Sequence, residues 1–114
     1  MRQAFTAALL AIAFAAGMPA SAADAGNGKR LYDRWCEGCH APMTPLRMPI
    51  AGTYALEQRY KGAVPAVLTE RTDLTPEFIR TIVRNGINVM PGTRKTEISD
   101  AELDDIVAWL MQPK

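Results

Sequence analysis

The pentapeptide Cys36-Glu37-Gly38-Cys39-His40 contains both cysteines and the only histidine of a 114-residue chain. A chain that gathers all its thiols and its imidazole at one point folds around whatever that point holds. Four chemistries compete for the pentapeptide. A Cys36–Cys39 disulfide leaves the adjacent histidine unexplained. A thioredoxin-like redox pair opens a helix after a strand, whereas this motif follows a helical pattern and no strand pattern stands out. Structural zinc takes four ligands, and two thiolates with one imidazole make three.

The fourth reading uses every residue. In CxxCH the two thiols add across the vinyl groups of haem as thioethers, and the following histidine is placed to ligate the iron. Gly38 keeps the turn close to the ring. One covalently attached haem c, held by Cys36, Cys39 and His40, is therefore the expected cofactor.

The start of the chain supplies a compartment. Arg2 precedes an apolar run from Ala4 to Ala16, too short to cross a bilayer as a helix, which takes about 20 residues. Gly17-Met18-Pro19 closes the run, and Ala20-Ser21-Ala22 offers a small-x-small cleavage site. Residues 1–22 read as a secretory signal and 23–114 as one domain, destined for the periplasm, where thiols oxidise. Cleavage removes Arg2 and leaves equal numbers of basic and acidic residues. A neutral chain has no general field for nucleic acid or an acidic membrane. So small a domain buries little surface of its own, and a prosthetic group fills the deficit.

Three helices are legible. Gly28, Leu31, Tyr32, Trp35 and Cys36 recur at helical spacing from about Ala25, with Asp24 as a cap. In LTPEFIRTIVRNG (74–86), Thr75 caps, Pro76 suits the first turn, Phe78, Ile79, Ile82 and Val83 form the stripe, and Gly86 stops it. Ser99-Asp100-Ala101-Glu102 is a capping box, with Ile98 stapling onto Leu103 and Ile106, Val107 and Leu110 continuing the face. Residues 41–73, rich in proline, allow a short helix at 53–60 and a turn or two at 65–71. So much irregular chain in a small domain fits wrapping around a large group.

These words in this order, GKRLY (28–32), CEGCH (36–40), the middle helix, NVMPGT (88–93) and the capped last helix, resemble the class I c-type cytochromes over residues 24–114. The resemblance implies an all-α fold, three main helices and loops wrapped around one covalent haem, the last helix crossing the first. It also implies that Met90 is the second axial ligand of the iron. From the residues alone, His40 leaves no partner histidine, and Met43, Met48, Met90 and Met111 are the available thioethers. Met111 reads as core and Met43 and Met48 as gap-fillers close behind His40. Met90 sits between helices, stiffened by Pro91. The family's Gly-Pro pair, whose proline carbonyl holds the axial imidazole, is missing here. Pro45 or Pro49 stands in its place, and Arg47, Arg59 and Arg71 are candidates for the haem propionates.

A haem with both axial positions filled carries electrons, and nothing in the chain supplies other catalytic machinery. From RYKGAV to Leu110, with LYD, VRNG and MP, the chain is similar to the small cytochromes of flavocytochromes of the p-cresol methylhydroxylase kind. That similarity implies an electron donor that is a flavoprotein dehydrogenase of the vanillyl-alcohol oxidase type, oxidising a phenol, with a downstream redox protein as acceptor. The alternatives are a free-standing shuttle to another dehydrogenase or terminal oxidase, and a sensor or enzyme in which Met90 gives way to a ligand. In the family fold the exposed haem edge places Ala41-Pro42-Met43 and Pro91 to Thr93 at the docking surface, with Arg94 and Lys95 at its rim.

Overall fold

The computed structural model describes residues 21–114. Of the segment read as a secretory signal, residues 1–20 lie outside the described residues, and Ser21 and Ala22 carry no regular secondary structure. Helix α1 spans Ala25–Trp35, and the Asp24 side chain accepts from the Gly26 and Asn27 amides at 2.8 and 3.1 Å, satisfying two donors that the first turn leaves open. The short α2, Glu37–His40, follows after Cys36. Helix α3, Ala51–Tyr60, starts two residues before the expected 53–60, and a single 3-10 turn, Leu68–Glu70, occupies the 65–71 stretch.

Helix α4, Pro76–Asn85, is capped by Thr75 and ends at Gly86. Gly86 has φ 71°, a left-handed conformation that stops a helix and that glycine adopts without strain. Helix α5, Asp100–Leu110, opens with the complete Ser99–Glu102 capping box. Among the described residues there is no strand, only isolated bridges that close tight turns at 44–47 and 87–90. The fold is all-α.

The core forms where α1 and α5 cross. Gly28 makes the crossing possible: a Cβ there would stand 2.5 Å from the carbonyl carbon of Asp105 and 3.0 Å from the Ile106 nitrogen. Two bonds lock it, from the Asp24 amide to Asp105 Oδ1 at 2.6 Å and from Asn27 Nδ2 to Asp105 Oδ2 at 2.7 Å. One turn on, the Tyr32 and Trp109 rings meet with centroids 4.6 Å apart. Tyr32 then joins Leu74, Ile79, Val83, Ile98, Leu103, Ile106, Val107 and Leu110 in one buried cluster. Ile98 and Leu103 are both buried in it, as the staple requires.

Three apolar side chains assigned inward by period are partly exposed. Trp35 lies at the edge of the α1 face, under the Arg34 guanidinium 5.3 Å away. Phe78 falls outside the narrow Ile79–Val83 arc through which α4 meets the core. Met111, read as core, follows the last turn of α5 and is partly exposed.

Candidate functional site

The Cys36 carbonyl accepts from the amides of Cys39 and His40 at 3.1 and 2.9 Å, so one helical turn carries both thiols and the imidazole. That turn is fastened from both sides. Tyr32 of α1 donates its hydroxyl to the His40 carbonyl at 3.5 Å, and Thr53 of α3 donates to the Ala41 carbonyl at 2.7 Å. Carbonyls at a helix end have no partner within the helix. Here two neighbouring helices supply part of what is missing, and they fix the direction in which α2 points.

The His40 ring lies against Gly52 of α3, where a Cβ would come within 2.9 Å of Cε1 and 3.0 Å of Nδ1. Nδ1 is buried and has no hydrogen-bond partner among the described residues. The expectation that the Pro45 or Pro49 carbonyl would hold this nitrogen is therefore not met. Packing on Gly52 orients the ring instead. Burial lowers the His40 pKa, favouring the neutral imidazole, whose lone pair is what a metal binds. Burial, and then the neighbouring Cys39, push the Cys36 thiol up to about 11, while Cys39 is exposed. The motif follows a helix rather than a strand, against a thioredoxin-like site.

Met90 closes the tight turn 87–90: Ile87 and Met90 exchange backbone hydrogen bonds at 3.0 and 2.9 Å. Asn88 takes the left-handed conformation there, φ 53°, which asparagine tolerates better than most residues. Met90 packs against the same core cluster as Cys36. The other thioethers sit elsewhere: Met48 is exposed, so it fills no core gap, and Met43 is half-buried. The two tight turns present the most exposed apolar side chains, Leu46 at 96 % and Val89 at 83 %.

Sequence reasoning missed the fastening behind the methionine turn. The Val83 carbonyl accepts from the Thr93 amide at 2.8 Å and the Thr93 hydroxyl at 3.0 Å. Arg84 reaches across with Nη1 2.7 Å from the Ile98 carbonyl and Nη2 2.9 Å from Asp100 Oδ1. No local period signals such a residue, because its partners lie in the next element.

The three arginines named for the propionates lie in different settings. Arg71 is buried, forks onto Asp73 and stacks 4.8 Å from the Tyr60 ring centroid, while Arg47 and Arg59 are exposed. Of the residues assigned to a docking surface, Ala41 is buried, since its carbonyl anchors Thr53. Pro42, Pro91 and Gly92 are exposed, and Met43 and Thr93 half-buried. At the rim Lys95 pairs with Asp100 at 2.6 Å, and Arg94 Nε lies 3.7 Å from Glu97.

A half-buried imidazole whose Nδ1 is buried without a hydrogen-bond partner, two thiols on the same turn and a thioether on the adjoining apolar cluster are donors of the kinds that haem c takes. The chain matches over residues 23–110 the family described as cytochrome c oxidase, cbb3-type, subunit III. It is 32 % identical to a cytochrome c6 of Nostoc sp. (strain PCC 7120), over 97 % of this chain and 93 % of that protein. It is 29 % identical to the cytochrome c subunit of a 4-cresol dehydrogenase (hydroxylating) of Pseudomonas putida, over 84 % of this chain and 68 % of that one. No solved structure matches it. The chain belongs to this family of cytochromes: it is a class I c-type cytochrome, an electron carrier with covalently bound haem c.

Proposed function

We propose that Cys36 and Cys39 carry the haem as thioethers, that His40 and Met90 are the axial ligands of its iron, and that the protein accepts electrons in the periplasm from a flavin-dependent dehydrogenase of the phenol-oxidising type. When bound, haem would supply a one-electron couple, and a thioether ligand together with an imidazole would raise its potential. The chain's own residues do the rest. Gly52 and the fastened carbonyls of His40 and Ala41 hold the imidazole, and the closed turn 87–90 presents the thioether. With both positions taken, no coordination site is left for substrate, and a two-electron donor is drained in two encounters. Residues 1–22 act as the export signal that brings the chain to this compartment.

The observation that carries the ligand set is the His40 ring, its Nδ1 buried without a hydrogen bond, on the turn that holds both thiols. Met90→Ala in the holoprotein is expected to abolish the far-red methionine–ferric iron band and to let carbon monoxide bind the ferrous form. Met43→Ala and Met48→Ala keep the band, and loss of the band in either of them but not in Met90→Ala overturns the assignment.

The likeness to the 4-cresol dehydrogenase subunit supports the donor. Reduction of the haem bands in anaerobic periplasmic extract should then depend on an added 4-alkylphenol. The fuller coverage of the cytochrome c6 supports a second reading, a free-standing shuttle. Reduction that ignores phenols and follows another dehydrogenase substrate favours that one. Among the described residues no helix is long and apolar enough to cross a membrane.

A further inference from the structure

The turn that carries Met90 is the middle of a long excursion between α4 and α5, and its two ends are tied together. The Val83 carbonyl holds Thr93 by two bonds. Outside that tie, Arg84 binds the Ile98 carbonyl and Asp100, with weaker approaches of 3.4 and 3.5 Å to the Thr93 hydroxyl and carbonyl. Gly86 and Gly92 let the two ends of this excursion touch: a Cβ on Gly92 would lie 2.5 Å from the Arg84 carbonyl oxygen, and one on Gly86 2.6 Å from the Gly92 nitrogen. Met90 itself is anchored only by its two backbone bonds to Ile87 and by half-burial on the core.

We propose that Arg84 is the positioning residue of the sixth coordination site. It closes the Met90 loop from outside and sets how often the thioether leaves the iron. This rests on the reading of Met90 as ligand. Three features single Arg84 out. It is the only side chain among the described residues that joins α4, the segment after Met90 and the start of α5 in one set of bonds. Its side chain is mostly covered, 20 % exposed against 63 % for Asp100, and its bond to the Ile98 carbonyl is partly buried, while the one to Asp100 lies at the surface. Its planar fork is also suited to taking a carbonyl and a carboxylate together. A loop whose ends are held separates from its ligand by bending alone. A loop whose ends are free can swing away whole and gains chain entropy in doing so.

The holoprotein tests this through the binding of cyanide to the ferric form, because the anion enters only when Met90 has left. Arg84→Met keeps the stem and removes the donors. It is expected to speed cyanide entry by roughly tenfold to a hundredfold, the scale of one charge-assisted hydrogen bond in an equilibrium. Arg84→Lys restores part of the difference. Arg80→Met is the control. It breaks another α4–α5 pair, Arg80–Asp104 at 2.9 Å, one turn away and with no bond to the loop, and it should leave the cyanide rate near wild type. If Arg84→Met binds haem poorly, Asp100→Asn, which spares the bond to Ile98, gives a smaller acceleration of the same sign. A cyanide rate in Arg84→Met equal to wild type, or matched by Arg80→Met, overturns the proposal. Met90→Ala separates the two readings: were it to keep the far-red band and bind cyanide slowly, the ligand assignment would fall, not Arg84's role alone.

Discussion

Gly28→Ala tests the crossing on which the whole domain hangs. The new methyl group would sit 2.5 Å from the Asp105 carbonyl carbon and 3.0 Å from the Ile106 nitrogen, where ordinary contact begins near 3.4 Å. The obstacle is backbone, with the Asp105 carbonyl oxygen nearest of all, so no rotamer change relieves it, and α1 must move off α5 by roughly 1.5 Å. Overpacking of this kind costs about 1–3 kcal/mol. The two bonds to Asp105, at 2.6 and 2.7 Å, and the Tyr32–Trp109 contact at 4.6 Å stretch with the shift and add about 1–2 kcal/mol. Against this, alanine is a better helix former than glycine by about 1 kcal/mol. The net is a loss of about 1–4 kcal/mol. In a domain of this size, that lowers the melting temperature by about 5–30 °C. Thermal unfolding of the ferric holoprotein, followed by far-UV circular dichroism, reads the change directly. Gly28→Val should cost more. Adding Asp105→Ala should not rescue Gly28→Ala, because the clash is with the main chain at 105. A Gly28→Ala protein as stable as wild type, or one rescued by Asp105→Ala, would refute the reasoning.

Thr53→Val removes the hydroxyl that holds the Ala41 carbonyl and leaves a buried acceptor without its partner; chemical denaturation should show a loss of about 1–3 kcal/mol, and an unchanged midpoint would mean that α3 does not anchor α2 this way. Asp100 is held below its ordinary carboxylate pKa, first by the hydrogen bond from Lys95 and then by that from Arg84. A depressed folded-state pKa gives stability that is present above the unfolded value and lost as pH falls through the folded one. Asp100→Asn should therefore flatten the fall in stability below about pH 4, and an unaltered acid limb would remove this pair from the account. Reversing Arg94 and Lys95 to Glu should slow reduction by the physiological donor at low salt, with the difference fading as salt rises. Both side chains are largely exposed despite their acidic neighbours, and an unaffected rate takes them out of the docking surface.

What was legible in the sequence was whatever repeats or sits next to itself. Thr75-Pro76, the Ser99–Glu102 box and the Gly86 stop are local chemistry, and the structure has all three where the residues place them. The CxxCH turn is local too, so its two thiols and imidazole share one helical turn without reference to the rest of the fold. Exposure was read less well, because a period gives a direction and not what covers it. Trp35, Phe78 and Met111 follow the apolar pattern yet meet solvent, while Arg71, charged and in a loop, is buried by Asp73 and Tyr60. Least legible were bonds between distant segments: Thr53 to Ala41, Asp105 to Asn27, Arg84 to Ile98. Each is a polar residue whose role depends on a partner that only tertiary structure brings near.

Those distant bonds divide the work in a way that bears on electron transfer. On the proposed ligation, one ligand comes from each half of the chain. His40 is held by α1 and α3, through Tyr32, Gly52 and Thr53. The loop that carries Met90 is closed by α4 and the start of α5, through Val83, Arg84 and Thr93. The two halves join at the Gly28–Asp105 crossing, which lies in neither ligand's own support. With haem bound on that ligation, the two donors would be braced separately, and the close backbone contact of α1 on α5, in a packed interior that yields little, would lie between their supports. Such bracing would resist movement of either donor when the charge at the iron changes. It also makes the crossing a lever on the site: a substitution at Gly28 should weaken the far-red band as well as the fold, in proportion to how far it drives α1 from α5.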